Sequence, residues 1–296
     1  MLSHFSNLKK KAIFIVALSS LFIMVAYCLV TFCLGIPILS IWMIAPLFLI
    51  PIFGNLIFNK FESKAMLNVI DMVHLYENDC KPRSFVDAMD PILNTFKPHF
   101  DINEVWLLAA YARALVEISE EDKARLILDS FEDQVSSSEH PEEKGPMMVN
   151  YEPLFLMIKG PAAALILLDN AEKAINDIPT IRKESGKINR LTTPELREDL
   201  LSSPDMKARL LYIQVERKFL QASIDNDTKT LEYECNVICS DDGASKVLKS
   251  RYIYALAMAY LKLGETAKAK TMLKKTISVA RGLKCAEEAK RILLEL

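Results

Sequence analysis

The stretch RYIYALAMAYLKLGETAKAKTMLKKTIS, residues 251–278, reads as two helices joined around one glycine. Ile253, Leu256, Ala257, Tyr260 and Leu261 recur at spacings of three and four before it. That is the period of a helix with one apolar face, not the alternation of a strand. Gly264 stands where the first helix must stop, and glycine commonly ends helices because it turns left-handed without a steric penalty. The same register fits a second stretch, Leu108, Tyr111, Ala112, Leu115, Ser119, Ala124 and Leu128, with Ser119 in place of the glycine.

Large, apolar, small, aromatic, glycine, small, large: Ile253, Leu256, Ala257, Tyr260, Gly264, Ala269 and Leu273 resemble successive signature positions of a tetratricopeptide repeat. The resemblance implies two antiparallel helices, brought close at Ala257 and Ala269, with Tyr260 and Leu273 filling the gap beside them. It has gaps. Thr276 stands where the family favours a small residue, and Arg281 where it favours proline. Phe85, Ala88 and Ile92 match only a second helix, while Tyr151–Ile175 and Met206–Cys239 pair as helices but match poorly. An irregular helical bundle is the plain alternative. The final stretch, Ala286–Leu296, is expected to cover the last pair.

Outward from these pairs, Asp101 with Glu104, Ser84 with Asp87 and Ser119 with Asp122 read as helix starts, as do Thr193-Pro194-Glu195 and Ser203-Pro204-Asp205. Breaks are expected at Ser136–Pro146 and Pro179–Pro204, and no segment alternates like a hairpin strand. The domain at 59–296 is therefore expected to be all-α, a solenoid of antiparallel helix hairpins.

The N-terminal side is of another kind. None of the 47 residues from Ala12 to Phe58 is Asp, Glu, Lys, Arg or His. One crossing of a bilayer takes about 20 apolar residues, so this run suits two, broken at Gly35 and Pro37. A secretory signal has an apolar core of only about 7–15 residues, far shorter than this. Lys9–Lys11 before the run and Lys60 and Lys64 after it place both ends in the cytoplasm. The expectation is a cytoplasmic segment at 1–10, a transmembrane hairpin at 11–58 in contact with the lipid bilayer, and a cytoplasmic domain at 59–296. With no ionisable group in either crossing, an anchor is favoured over a transport pathway.

Beyond residue 58 the chain holds 33 Lys and Arg against 38 Asp and Glu, a balance that gives it no reason to seek nucleic acid. With 8 Gly and no Gly-x-x-x-x-Gly-Lys, no phosphate loop is present. His74 one turn after Asp71 reads as a helix contact, Cys235 with Cys239 as two small core residues, and Asp241-Asp242-Gly243 as a turn. No nucleophile stands with a base, and no cofactor, metal or small-molecule substrate is indicated; the chain reads as no enzyme. The resemblance implies a concave groove lined by the first helix of each pair: Trp106, Ala109, Ala110 and Arg113 in one, Arg251, Tyr254, Ala255 and Met258 in the other. Trp106, Arg113, Arg251, Tyr254 and Met258 are the candidate protein-binding residues, since aromatics and arginine dominate binding hot spots. The expected function is a membrane-anchored scaffold that recruits a cytoplasmic protein or peptide. The alternative is a non-catalytic subunit of a transport or secretion assembly, held through the hairpin.

Overall fold

The computed structural model describes residues 67–96, 102–138, 140–187 and 191–296. The expected membrane hairpin at 11–58, with the segment 1–10, lies outside the described residues. Among those described, no helix is long and apolar enough to cross a membrane. They form twelve helices and no strand. These are α1 (67–77), α2 (Pro82–Phe96), α3 (Ile102–Glu117), α4 (Glu121–Ser137), α5 (Pro141–Lys159), α6 (Pro161–Glu184), α7 (Thr193–Ser202), α8 (Pro204–Asp225), α9 (Thr228–Ser240), α10 (Lys246–Lys262), α11 (Thr266–Val279) and α12 (Lys284–Glu295).

Neighbours in sequence are neighbours in space. Within the compact unit formed by residues from 72 onward, α3 packs on α4, α5 on α6, α8 on α9 and α10 on α11, and α12 covers α11. The first helix of a pair also meets the pair before it: α5 lies on α3, α8 on α6 and α10 on α9. The short α7 sits between α6 and α8. Ala112, Ala124, Ala257 and Ala269 are completely buried where paired helices come close, with Leu115, Leu128 and Leu273 filling beside them.

Turn chemistry explains the pairing. Ser119, Asn226 and Gly264 all have left-handed backbones, with φ of 68°, 56° and 75°. Glu120 N–H donates to the Leu115 carbonyl and Ser119 N–H to that of Val116; Glu265 and Gly264 repeat this with Tyr260 and Leu261. Both are helix-ending Schellman turns. Ser119 is therefore the residue that ends α3 and not a cap that starts α4, whose cap position is Glu120 without a side-chain bond. Ser84 likewise falls inside α2. The start of α7 follows the expected chemistry one residue early: Thr192 Oγ1 accepts from Glu195 N–H at 3.5 Å, and Thr192 N–H donates to Glu195 at 2.5 Å.

Two breaks are shorter than the sequence suggests. α4 runs to Ser137 and α5 begins at Pro141, with Gly145 and Pro146 buried inside α5. A Cβ at Gly145 would stand 2.6 Å from Ile175 Cγ1 and 2.9 Å from the Ala171 carbonyl. This glycine marks close helix packing, not a loop. Pro179 is likewise buried within α6, which continues to Glu184.

The series of pairs also meets its own beginning. The turn between α11 and α12 rests on the turn between α1 and α2, where a Cβ at Gly282 would lie 1.9 Å from the Cys80 carbonyl. Cys80 Sγ donates to the Val279 carbonyl at 3.6 Å, Ser245 Oγ to Glu77 at 2.7 Å and the Lys284 amide to Glu117 at 2.7 Å. These bonds span 167 or more residues of chain, and they bring the first helices of the pairs around a common space.

Candidate functional site: a cavity among the first helices

That space is a cavity of about 670 Å³. It takes side chains from α1 (Tyr76), α3 (Arg113, Glu117), α5 (Leu156, Met157), α8 (Tyr212, Phe219), α10 (Arg251, Tyr254, Met258) and α12 (Lys284, Glu288). The second helices reach it only at their first residues, Glu121 and Pro161. Its size lies within the roughly 300–1,000 Å³ of sites that enclose a ligand, and its mostly apolar wall with few polar groups is of the same kind.

Two arginines are set into the wall. The Arg113 guanidinium donates to Glu77 at 2.6 Å and lies 5.5 Å from the Tyr76 ring centre. Burial works most strongly against its charge, but the Glu77 carboxylate, with Tyr76 and Tyr212 adding to it, holds the guanidinium more firmly protonated than usual. Arg251 pairs with Glu216 and stands 3.9 Å from Glu152, with Phe219 and Tyr252 at 5.1 and 5.8 Å. Tyr252 donates to Glu216 at 2.8 Å and Tyr212 to Glu152 at 2.7 Å. Here two fully buried carboxyls flank one guanidinium. Glu152 is pushed above the usual carboxyl range, chiefly by burial, with Arg251 pulling it down and Glu216 adding to the rise. Four buried polar atoms around this space have no hydrogen-bond partner: Tyr76 Oη, Arg113 Nε, Glu152 Oε1 and Arg251 Nε.

Of the five candidate binding residues, Arg113, Arg251, Tyr254 and Met258 are brought together here and Trp106 is not. Ala255 also lines the cavity, whereas Ala109 and Ala110 are buried in the helix interface. Sequence reasoning missed Tyr76, Tyr212 and Phe219, along with the carboxylates that hold the arginines. A signal for one of them was present: Glu216 interrupts the apolar stripe Ile213, Phe219, Leu220, and an acid there has to be paired.

The remaining candidates stay apart. Asn78, in the turn that follows α1, donates to the His74 ring. Cys235 and Cys239 lie with Sγ atoms 3.9 Å apart, Cys235 buried and its thiol pushed up to about 12, first by that burial. Among the described residues no three His, Cys, Asp or Glu side chains gather as for a metal ion. Asp241 closes a turn by accepting from Gly243 N–H at 2.8 Å.

No family model, curated protein or solved structure matches this chain.

Proposed function

We propose that this chain is a membrane-anchored recruiting module, whose tetratricopeptide-like helical domain binds a cytoplasmic protein in the cavity among its first helices. The carrying observation is convergence: five first helices and the covering helix α12 contribute side chains to one apolar, aromatic space. The repeated core register and the shared left-handed turn at Ser119 and Gly264 support the repeat reading. The uncharged run at 12–58 supports the anchor. Holding the domain at a membrane raises the local concentration of the cavity, so a modest intrinsic affinity suffices.

The test is chemical crosslinking in intact membranes, with mass spectrometry of what the full-length chain captures. A variant carrying Tyr254→Ala and Met258→Glu serves as the comparison. The reading predicts that one or more soluble proteins are lost from the variant while neighbouring membrane proteins are retained. Membrane proteins captured equally by both chains, with no soluble protein lost, would instead favour an assembly subunit held through the hairpin.

A further inference from the structure

The interior of the cavity offers no uncommitted positive charge among its described residues. Arg113 is held by Glu77 and lies over Tyr76; Arg251 is held by Glu216 and lies over Phe219. An anionic ligand would have to displace one of these carboxylates, each hydrogen-bonded to the guanidinium it neutralises. Apolar and aromatic surface is what remains on offer.

The mouth has a sign. Wall residues that reach solvent include Met157, Pro161, Glu121, Lys284 and Glu288, with side chains of the last three 51%, 39% and 48% exposed. Glu117 stands just inside. Three carboxylates thus face one ammonium, and that ammonium already donates to Glu121 at 3.1 Å. Arg291 reaches Glu288 at 3.6 Å from outside, but it is 70% exposed, and such a surface pair is weak. The Glu288 carboxylate adds to burial in disfavouring ionisation of the Tyr254 hydroxyl, so the aromatic wall adjoins the acidic rim.

We propose that the cavity takes a short apolar segment of a partner polypeptide with a Lys or Arg at its edge, and rejects acidic segments. This rests on the recruiting reading and names the chemistry of its partner. The apolar side chains fill the space between Phe219, Met258 and Leu156, and the cation meets Glu121 and Glu288. Charge of this kind sets specificity and the rate of encounter more than raw affinity, and it weakens with salt.

The test pans a random dodecapeptide phage library against the full-length chain in lipid nanodiscs, with empty nanodiscs as the subtraction. The expected peptides combine several Leu, Ile, Phe or Met with an adjacent Lys or Arg. A synthetic copy, followed by fluorescence anisotropy, should bind about tenfold more weakly to the Glu121→Gln, Glu288→Gln double variant and more tightly to Lys284→Gln. Met258→Glu should abolish binding, with thermal unfolding confirming that each variant folds. Enrichment of acidic peptides, equal binding to the double variant, or no enrichment over empty nanodiscs each overturns the proposal. The recruiting reading fails separately, when capture in membranes is indifferent to Tyr254 and Met258 whatever the charge of the captured segment.

Discussion

The hairpins α3–α4 and α10–α11 share a core and differ at the cavity. In a register shifted by 145 residues, Ala112 matches Ala257, Leu115 matches Tyr260, Ala124 matches Ala269 and Leu128 matches Leu273, all buried. Ser119 matches Gly264 with nearly the same backbone angle. The inward positions do not repeat: Trp106 against Arg251, Ala109 against Tyr254, Arg113 against Met258. Arg251, Tyr254 and Met258 line the cavity, whereas in α3 only Arg113 of these does. Packing constrains the first set in both hairpins alike. The second set is free to differ, and it is where recognition can be written.

The comparison breaks most sharply at the core position where size differs most. Phe131 is fully buried and stacks on Tyr151 at 5.3 Å, while its counterpart Thr276 donates to the Met272 carbonyl of its own helix. Phe131→Ala should cost about 3–5 kcal/mol and Thr276→Ala about 1 kcal/mol, both read from denaturant midpoints. Equal costs would mean that the two second helices are not held in equivalent ways.

Next in size are the arginine joints. Removing the Glu216 carboxylate leaves Arg251 and the Tyr252 hydroxyl without their close partner in a buried setting, so Glu216→Ala should cost about 3–5 kcal/mol. The two arginines are alike, 17% and 20% exposed, but Glu77 is 18% exposed where Glu216 is 2%. Glu77→Ala should accordingly cost about 2 kcal/mol. Chemical denaturation of both variants measures the difference, and a larger loss at Glu77 would reverse the ranking of the two joints.

The turns provide a smaller, paired test. Ser119 holds a left-handed backbone that disfavours any Cβ, and Gly264 holds the same angle without one. Ser119→Gly should therefore raise stability by about 1 kcal/mol and Gly264→Ala lower it by about the same amount. Opposite signs in thermal unfolding would support equivalent turns.

Smallest is the dependence on pH. Glu152 keeps its proton to higher pH when folded than when unfolded, because burial disfavours its charge. Its contribution is complete below the unfolded carboxyl value of about 4.3 and declines as pH rises, until the folded group also ionises. Glu117, also raised by burial, contributes with the same sign. Melting temperature should thus fall less between pH 5 and pH 9 in Glu152→Gln than in the parent chain, with a remainder due to Glu117. An unchanged slope would show Glu152 to be ionised already at pH 5.

Helix identity and the hairpin register were legible in the sequence because both are local, set by spacings of three and four and by the residue at the turn. Where that reading slipped, neighbouring helices decided. Gly145, Pro146 and Pro179 read as loop residues, but contact with an adjacent helix holds them inside α5 and α6. Ser119 carries a side chain that caps helix starts, but here its backbone serves to end one. Of the site, four of five named residues share the cavity because they follow from the register. Its closure did not follow. Gly282 against Cys80 and Lys284 against Glu117 join positions far apart in sequence, and no periodicity records such a meeting.

The most direct measurement places a photo-crosslinking amino acid at position 106, 254 or 258 of the full-length chain and illuminates intact membranes. The account predicts that a soluble partner is captured from 254 and 258 but not from 106, which does not line the cavity. Capture from 106 alone, or from all three equally, would contradict it.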